Sequence, residues 1–345
     1  MGEERVTAYA VVIPTLGRPS LDAALAALAE GEGPSPTRVV LVDDRPPEDP
    51  EPLAVAVPEA LRAVTEIVPG CARGPAAARN TGWRRAREPW IAFLDDDVVP
   101  GSGWRRALAA DLAAAGEGTG GVQGRIEVPL PEDRAPTDWE RATAGLASAR
   151  WITADMAYRR AALAEVGGFD ERFPRAFRED ADLALRVMDA GWRLTTGRRR
   201  TTHPVRPAGF WVSLRTQAGN ADDVLMARVH GRGWRARAEA PLGRFPGHLA
   251  AGAAAVGAVA ALLARRPGAA ALGGALWLAV TAEFAVARIG PGPRTAGEVA
   301  RMALTSAAIP PFAVGHRLRG MVRHRGTRRS KVFISDQSGN PWSHE

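Results

Sequence analysis

Residues 90–97 read WIAFLDDD, five apolar side chains that stop on three consecutive carboxylates, Asp95, Asp96 and Asp97. A short continuous apolar run with no helical spacing is how a strand buried on both faces of a parallel sheet reads. Three adjacent carboxylates at its end repel one another unless positive charge lies among them, and a hard cation with oxygen ligands is the usual remedy. In open α/β sheets ligands sit beyond the carboxyl ends of the strands, so this stretch predicts a fold class and the place of a site together. By itself the triplet equally suits an exposed acidic turn capping the next helix. Its surroundings decide between the two.

Working outward, short apolar runs alternate with helical patterns, the signature of an α/β sheet covered by helices. Tyr9 to Ile13, Val39 to Val42 and Val64 to Val68 read as strands preceding Trp90 to Leu94. Between them, Leu21 to Ala29, with Ser20 as a candidate cap, and Pro75 to Arg87 read as helices. The order places Asp43, Asp44 and the aspartate triplet on one rim. Downstream, Trp104 to Ala115 reads as a helix, Gly121 to Val128 as a strand, Met156 to Val166 as a strand leading into a short helix, and Ala181 to Ala190 as a helix.

From about Phe245 the character changes. His248 to Ala264 and Gly268 to Ala287 are Ala-rich apolar stretches separated by Arg265, Arg266 and Pro267, and a weaker stretch, Val299 to Val314, is interrupted by Pro310 and Pro311. The expected division is a catalytic α/β domain over 1–215, a basic connector over 216–244, an apolar helical region over 245–315 and a disordered basic and polar tail over 316–345. The 45 Lys and Arg against 38 Asp and Glu give a net charge of +7, almost all of it Arg, with Lys331 the only lysine. The basic residues crowd the C-terminal half, which suits an anionic membrane surface or phosphate-bearing substrates. Nucleic acid is not an expected partner, because no RNA- or DNA-binding motif accompanies the charge. Cys71 is the only cysteine, so no disulfide framework or Cys-rich metal site is expected. The N-terminus has acidic residues and too short an apolar run for a signal peptide, so a cytoplasmic location is expected.

Four motifs occur in order: VVIPTLGRP (11–19), VLVDD (40–44), GPAAARNTGW (74–83) and IAFLDDD (91–97). They are followed by GGFDERF (167–173) and REDADLALRVMDAGW (178–192). In sequence and spacing this set resembles the family-2 glycosyltransferases, over about Ala8 to Pro207. The resemblance implies a GT-A fold, a nucleotide-sugar-binding, mainly parallel sheet flanked by helices. It also implies transfer of a sugar from a nucleotide-sugar donor to an acceptor hydroxyl, inverting and dependent on a divalent metal, Mn²⁺ or Mg²⁺. Residue by residue, Pro14, Thr15 and Arg18 would line the nucleoside pocket, and Asp43 or Asp44 would accept a hydrogen bond from the base. Arg79 and Asn80 would lie near the nucleotide or its diphosphate. Asp95, Asp96 and Asp97 would serve the donor, with Asp95 and Asp97 holding metal and ribose and His203 as a further metal ligand. Glu179 and Asp180 would be the acceptor-side acidic pair, Asp180 as general base. Helix capping explains the pair as well. Asp182, inside the first turn, reads as structural.

Gly116, Gly118 and Gly121 satisfy GxGxxG but follow a helix instead of a first strand, so they read as a turn. The tryptophans read as core packing, with Trp151, just before the acceptor-side strand, the one candidate for stacking on sugar. A nucleotidyltransferase would also use a metal and an α/β sheet, but TLGRP is a poor version of its basic Gly-rich loop. A catalytically silent sugar-nucleotide-binding protein should lack the acidic pair or the triplet, and both are present. For the C-terminal region, a spanning helix needs about 20 predominantly apolar residues, and Gly268 to Ala287 just reaches that. The charge bias of a two-span hairpin is unfavourable, yet apolar stretches flanked by Arg228 to Arg237 and Arg317 to Arg329 suit an interfacial or embedded anchor. The expectation is association with the cytoplasmic face of a membrane and a lipid-linked or cell-envelope acceptor.

Overall fold

The computed structural model describes residues 8–46, 48, 51–70 and 72–327; Cys71 and the polar tail beyond 327 lie outside them. β1 (Tyr9–Thr15), α1 (Ser20–Glu30), β2 (Arg38–Asp43), α2 (Glu59–Arg62), β3 (Thr65–Pro69), α3 (Pro75–Arg85) and β4 (Trp90–Leu94) alternate as expected. Next come β5 (Val99–Pro100), α4 (Trp104–Ala113), β6 (Thr119–Glu127), α5 (Asp138–Ala144), β7 (Asp155–Arg159), α6 (Arg160–Val166), α7 (Glu179–Asp189) and β8 (Arg193–Thr202). They form one eight-stranded sheet in the order β3-β2-β1-β4-β7-β6-β8-β5. The first four strands are parallel, with Val12 opposite both Val40 and Phe93. β7 runs against β4 and β6, and the two-residue β5 runs against β8. The expected mainly parallel sheet is therefore parallel in its first half and mixed in its second.

Burial of β1 on both faces explains its unbroken apolar sequence. Tyr9, Val11 and Ile13 face a core with Leu25, Trp104 and Leu108, while Ala10 and Val12 face one with Ala78, Trp83, Phe93 and Leu183. Helix α3 lies so close to the sheet that a Cβ on Gly82 would stand 2.3 Å from Val12 Cγ1. Two boundaries differ from expectation in ways that matter. Ser20 is the first residue of α1 and not its cap: Pro19 occupies that position and makes no side-chain cap bond. Helix α7 starts at Glu179, so the acidic pair lies inside its first turn.

Beneath the rim the second half of the sheet is fixed by a buried ionic cluster. Asp155 accepts from Arg199 Nε (2.7 Å), Trp104 Nε1 (2.7 Å) and Thr201 Oγ1 (2.6 Å). Gly124 makes room for it, since a Cβ there would meet Asp155 Oδ2 at 2.2 Å. Arg199, one of the basic residues read as facing an anionic partner, is thus buried against Asp155 and Asp111.

The remaining helices are α8 (Val212–Arg215), α9 (Gly219–His230), α10 (Trp234–Arg237), α11 (Phe245–Leu263), α12 (Pro267–Ile289) and α13 (Ala296–Arg323). The expected connector over 216–244 is a packed subdomain: Leu225, Met226, Val229 and Trp234 share a core with Phe173 and Leu185 of the sheet domain. Helix α13 continues through Pro310 and Pro311 and past residue 315. Each proline removes only one backbone donor, and the buried side of the helix, Met302, Thr305, Ile309 and Ala313, is retained. Gly320 lets it touch α9, where a Cβ would fall 2.7 Å from the Ala221 Cα. Helices α11 and α12 are long and apolar enough to cross a membrane by length and composition, and are mostly exposed.

Removing one partner of a buried ion pair costs about 3 to 5 kcal/mol where the other charge is left alone. Asp155→Ala leaves Arg199 with Asp111 at 3.3 Å but strands Trp104 Nε1 and Thr201 Oγ1, so it should lower unfolding stability by up to about that amount in denaturant titration. A loss below about 1 kcal/mol would show that the cluster around Arg199 is not what fixes the second half of the sheet.

Candidate active site

The rim at the carboxyl ends of β1, β2 and β4 opens into a cavity of about 1130 Å³. Pro14, Thr15, Arg18, Asp44, Arg79, Asp95, Asp96, Asp97, Glu179, Asp180 and His203 all line it. Register explains the gathering: Thr15 pairs with Asp43 at the ends of β1 and β2, and β4 runs parallel beside β1.

The three aspartates have three different environments. Asp96 is buried and fully engaged, accepting from Thr15 Oγ1 (2.8 Å), Leu16 N (3.3 Å) and Arg18 Nη1 (2.6 Å), so it ties the β1–α1 loop to β4. Asp95 accepts from Arg79 Nη2 at 2.6 Å. Asp97 forms an ion pair with Arg206, whose Nε lies 2.8 Å from Oδ2, and has His203 Nε2 at 3.7 Å. Burial, and then the charge of Asp95, push the Asp97 carboxyl above the usual carboxylate range.

Arg79 is buried between the two halves of the site. One guanidinium nitrogen reaches Asp95 and the other reaches Glu179 Oε1 at 2.9 Å. Its Nε and the second oxygen of Glu179 have no hydrogen-bond partner. Burial and then the neighbouring Asp180 raise Glu179, against the pull of Arg79. Asp180 is raised too, by burial. Its Oδ1 accepts from Ala181 N at 2.7 Å.

Two expected site residues face elsewhere. Asp43 is held by Arg45, with Nε at 2.9 Å and Nη2 at 2.8 Å, and that guanidinium holds its carboxyl below the usual range. Asp44 is the one of the pair on the cavity wall, where it accepts from Arg73 N and Gly74 N and shapes the loop into α3. Asn80 is buried away from the cavity with all four hydrogen-bonding positions used. Its nitrogen donates to Phe169 O and Glu171 Oε1, and its oxygen accepts from Trp83 Nε1 and Phe169 N, each at 2.9 Å. Helical phase causes the split: Arg79 and Asn80 are adjacent in α3 and so point about 100° apart. Trp151 does not line the cavity either, whereas Trp139 does.

The opposite wall comes from segments that the sequence did not tie to the site: Trp139 and Thr143 of α5, Val212 of α8, Phe284 and Arg288 of α12, and Ile309 of α13. Arg206 was within reach of sequence reasoning, since it belongs to the same TTHPVRP segment as His203. As candidate donors for a divalent cation, Asp95 and Asp97 offer oxygen and His203 offers nitrogen, a set that suits Mg²⁺ or Mn²⁺ in kind. Among the described residues no three His, Cys, Asp or Glu side chains already stand close enough together to hold one. Arg79 holds Asp95, and Arg206 pairs with Asp97.

Residues 10–173 match the family described as Glycosyl transferase family 2. The match stops short of Glu179. The chain is 34% identical over 139 residues to the pre-mycofactocin glycosyltransferase of Mycobacterium tuberculosis, strains CDC 1551 / Oshkosh and ATCC 25618 / H37Rv, covering 35% of this chain and 28% of that protein. The chain thus spans little more than a quarter of the curated relatives it matches. It is also similar to S. aureus TarS 1–349 in complex with UDP (TM-score 0.46, 14% identity, 90% of this chain and 92% of that one). GalNAc-T7 with UDP, GalNAc and Mn²⁺ is a further structural neighbour (TM-score 0.45, 15% identity, 69% and 56%).

The placement of Asn80 separates packing from binding. Asn80→Ala would strand the buried Trp83 Nε1 and Phe169 N donors, at about 1 to 3 kcal/mol each. Denaturation should show a clear loss of stability, while nucleotide affinity by calorimetry should stay within about twofold of the parent. A selective loss of nucleotide binding would return Asn80 to the site.

Proposed function

We propose that the family-2 glycosyltransferase domain formed by residues 10–173, completed by α7 and the C-terminal helices, moves a sugar from a nucleotide-sugar donor to an acceptor hydroxyl with inversion. One observation carries this reading: a single cavity has the carboxylates of β4 on one wall and Glu179 and Asp180 of α7 on another. The nucleoside lies by Pro14, Thr15, Arg18 and Asp44, the diphosphate near Arg79 and the aspartates. Asp95, Asp97 and His203 are the residues that would hold a divalent cation, at the place where Arg206 now pairs with Asp97. Bound there, it would supply Lewis-acid neutralisation of the charge that builds on the departing diphosphate. Its fit rests on charge: five carboxylates line this part of the cavity against the guanidiniums of Arg18, Arg79 and Arg206.

On the acceptor side, Asp180 takes the proton of the attacking hydroxyl. Its raised affinity for protons, caused by burial, makes it a stronger base than an exposed carboxylate. Glu179 is held by Arg79 and orients the start of α7 instead of meeting the acceptor directly.

The apolar hairpin α11–α12 is the part of the chain that meets a membrane, on its cytoplasmic face. Leu262, Leu263, Leu272 and Leu276 are exposed along it, with Arg265 and Arg266 at its tip and Arg317, Arg319 and Arg323 on the neighbouring α13. Such a surface suits anionic lipid. Because α12 also supplies Phe284 and Arg288 to the cavity wall, an acceptor carried on a lipid would approach the site along this helix.

The chemistry is tested with a panel of nucleotide sugars, by following nucleotide release with Mn²⁺ or Mg²⁺ and with excess chelator. Release is expected only with the metal, and Asp180→Asn should cut the rate about 10²- to 10⁴-fold with nucleotide affinity retained. Full turnover in chelator, or a near-normal rate in the variant, would count against the corresponding role.

Membrane contact is tested by flotation of the full chain with vesicles. Binding should be stronger to vesicles with anionic lipid than to neutral ones and should weaken on raising salt. The double substitution Leu262→Glu with Leu276→Glu, both on exposed positions, should abolish it. A chain that never floats, in either lipid, would identify α11 and α12 as a soluble helical subdomain.

A further inference from the structure

Arg178, immediately before Glu179 and Asp180, has a left-handed backbone with φ 78° and ψ −15°. Long side chains avoid this region, and it persists only where the surroundings over-determine it. Here they act on three of the four residues that lead into α7. Arg178 Nε donates to Asp223 Oδ1 at 2.9 Å, and its guanidinium lies 4.3 Å from the centroid of the Phe177 ring and 4.9 Å from that of Trp234. Asp223 also pairs with Arg235. Phe177 rests on Gly219, where a Cβ would stand 2.6 Å from the ring. Arg175 Nη1 donates to Asp222 Oδ2 at 2.6 Å and to Ala218 O at 3.2 Å. Apart from Phe177 itself, these partners belong to α9, α10 or the turn before α9.

Helix α7 has a second anchor that does not involve Arg178: the carboxylate of Asp182 binds Arg186 Nη2 at 2.7 Å and His230 Nε2, at the end of α9, at 2.8 Å. What Arg178 controls is the first turn, because its carbonyl accepts the helix's opening bond from Asp182 N at 2.8 Å. That turn carries Glu179 to Arg79 and Asp180 to the cavity.

We propose that Arg178, gripped by Asp223 and Trp234, is a positioning residue that fixes the first turn of α7 and so aims Asp180 at the acceptor. The inference rests on the glycosyl-transfer reading for its effect on rate, but not for its effect on structure. Residues of the segment between 216 and 244 thereby enter the site's function without touching substrate.

Arg178→Gly tests it, since glycine takes the left-handed conformation freely and deletes only the grip. Nucleotide release from the donors used above should slow about 10- to 100-fold, the scale of a misplacement of about 1 Å. Affinity for the nucleotide alone should stay within about twofold. Hydrogen exchange of the 178–182 amides should become about tenfold faster, while that of 183–189 stays unchanged. Arg178→Lys, which keeps the ion pair but not the flat stacking surface, should recover part of the rate. Unchanged exchange, an unchanged rate, or a rate loss matched by loss of nucleotide affinity overturns the proposal. If the parent protein releases nucleotide from no donor, the transfer reading fails, and hydrogen exchange still decides whether the clamp exists.

Discussion

The buried guanidinium of Arg79, shared between Asp95 and Glu179, is the contact on which the site's shape depends. From α3 it joins the end of a strand in the parallel half of the sheet, at Asp95, to the start of a helix at Glu179, 100 residues beyond Arg79 itself. Without a positive charge there, Asp95, Glu179 and Asp180 would repel across a poorly solvated gap. Arginine suits the place because it stays charged when buried and presents two forked nitrogens to two carboxylates. Gly82, three residues further along α3, lets the helix approach β1 closely enough for Arg79 to be delivered at that depth.

The same logic of paired charges continues outward from the rim. Arg18 answers Asp96, and Arg206 answers Asp97. Burial still outweighs this pairing: Asp97, Glu179 and Asp180 all bind protons more tightly than free carboxyls do, chiefly because they are poorly solvated, with Asp95 adding to the rise at Asp97 and Asp180 to that at Glu179. The two kinds of contact differ in permanence. Asp96 is buried and triply bonded, so it belongs to the scaffold. Arg206 is 46% exposed and sits on a loop, so its bond to Asp97 is the one that a competing cation could replace at small cost.

How much of this was legible in sequence depended on whether burial left a one-dimensional trace. Strands β1, β2 and β4 are covered on both faces, so they read as unbroken apolar runs, and their ends located the aspartate rim. β7 has only Met156, Ala157 and Tyr158 between charged ends, and no sequence pattern says that it inserts antiparallel between β4 and β6. Residues 216–244 look like a basic connector because Arg228, Arg235 and Arg237 dominate their composition, whereas Leu225, Met226, Val229 and Trp234 supply the packing. Asn80 shows the sharper limit. Its motif named the right helix turn, but the helical phase that turns Arg79 to the cavity turns Asn80 to Phe169 and Trp83, and only a three-dimensional partner distinguishes the two. The cavity wall formed by α5, α8, α12 and α13 carries no motif at all, since its residues are single side chains, apolar, hydroxyl and charged, gathered from four distant segments.

That wall also changes what the C-terminal region is for. A helical anchor tethered to a catalytic domain need not touch its site, and a linker would serve. Here the helix that runs along the exposed apolar hairpin ends in Phe284 and Arg288. Arg288 is buried, binding Asp138 Oδ2 at 2.8 Å, Thr305 Oγ1 at 2.8 Å and Ser306 Oγ at 3.0 Å. This one guanidinium ties α12 to α5 and α13, all three of which line the cavity. Since α13 in turn packs on α9, which holds Arg178 and His230, the apolar helices and the acidic pair share one continuous set of contacts. The hairpin is therefore coupled through packing to the wall of the cavity that carries Glu179 and Asp180. The wall built on β1, β2 and α3 has its own core beneath it.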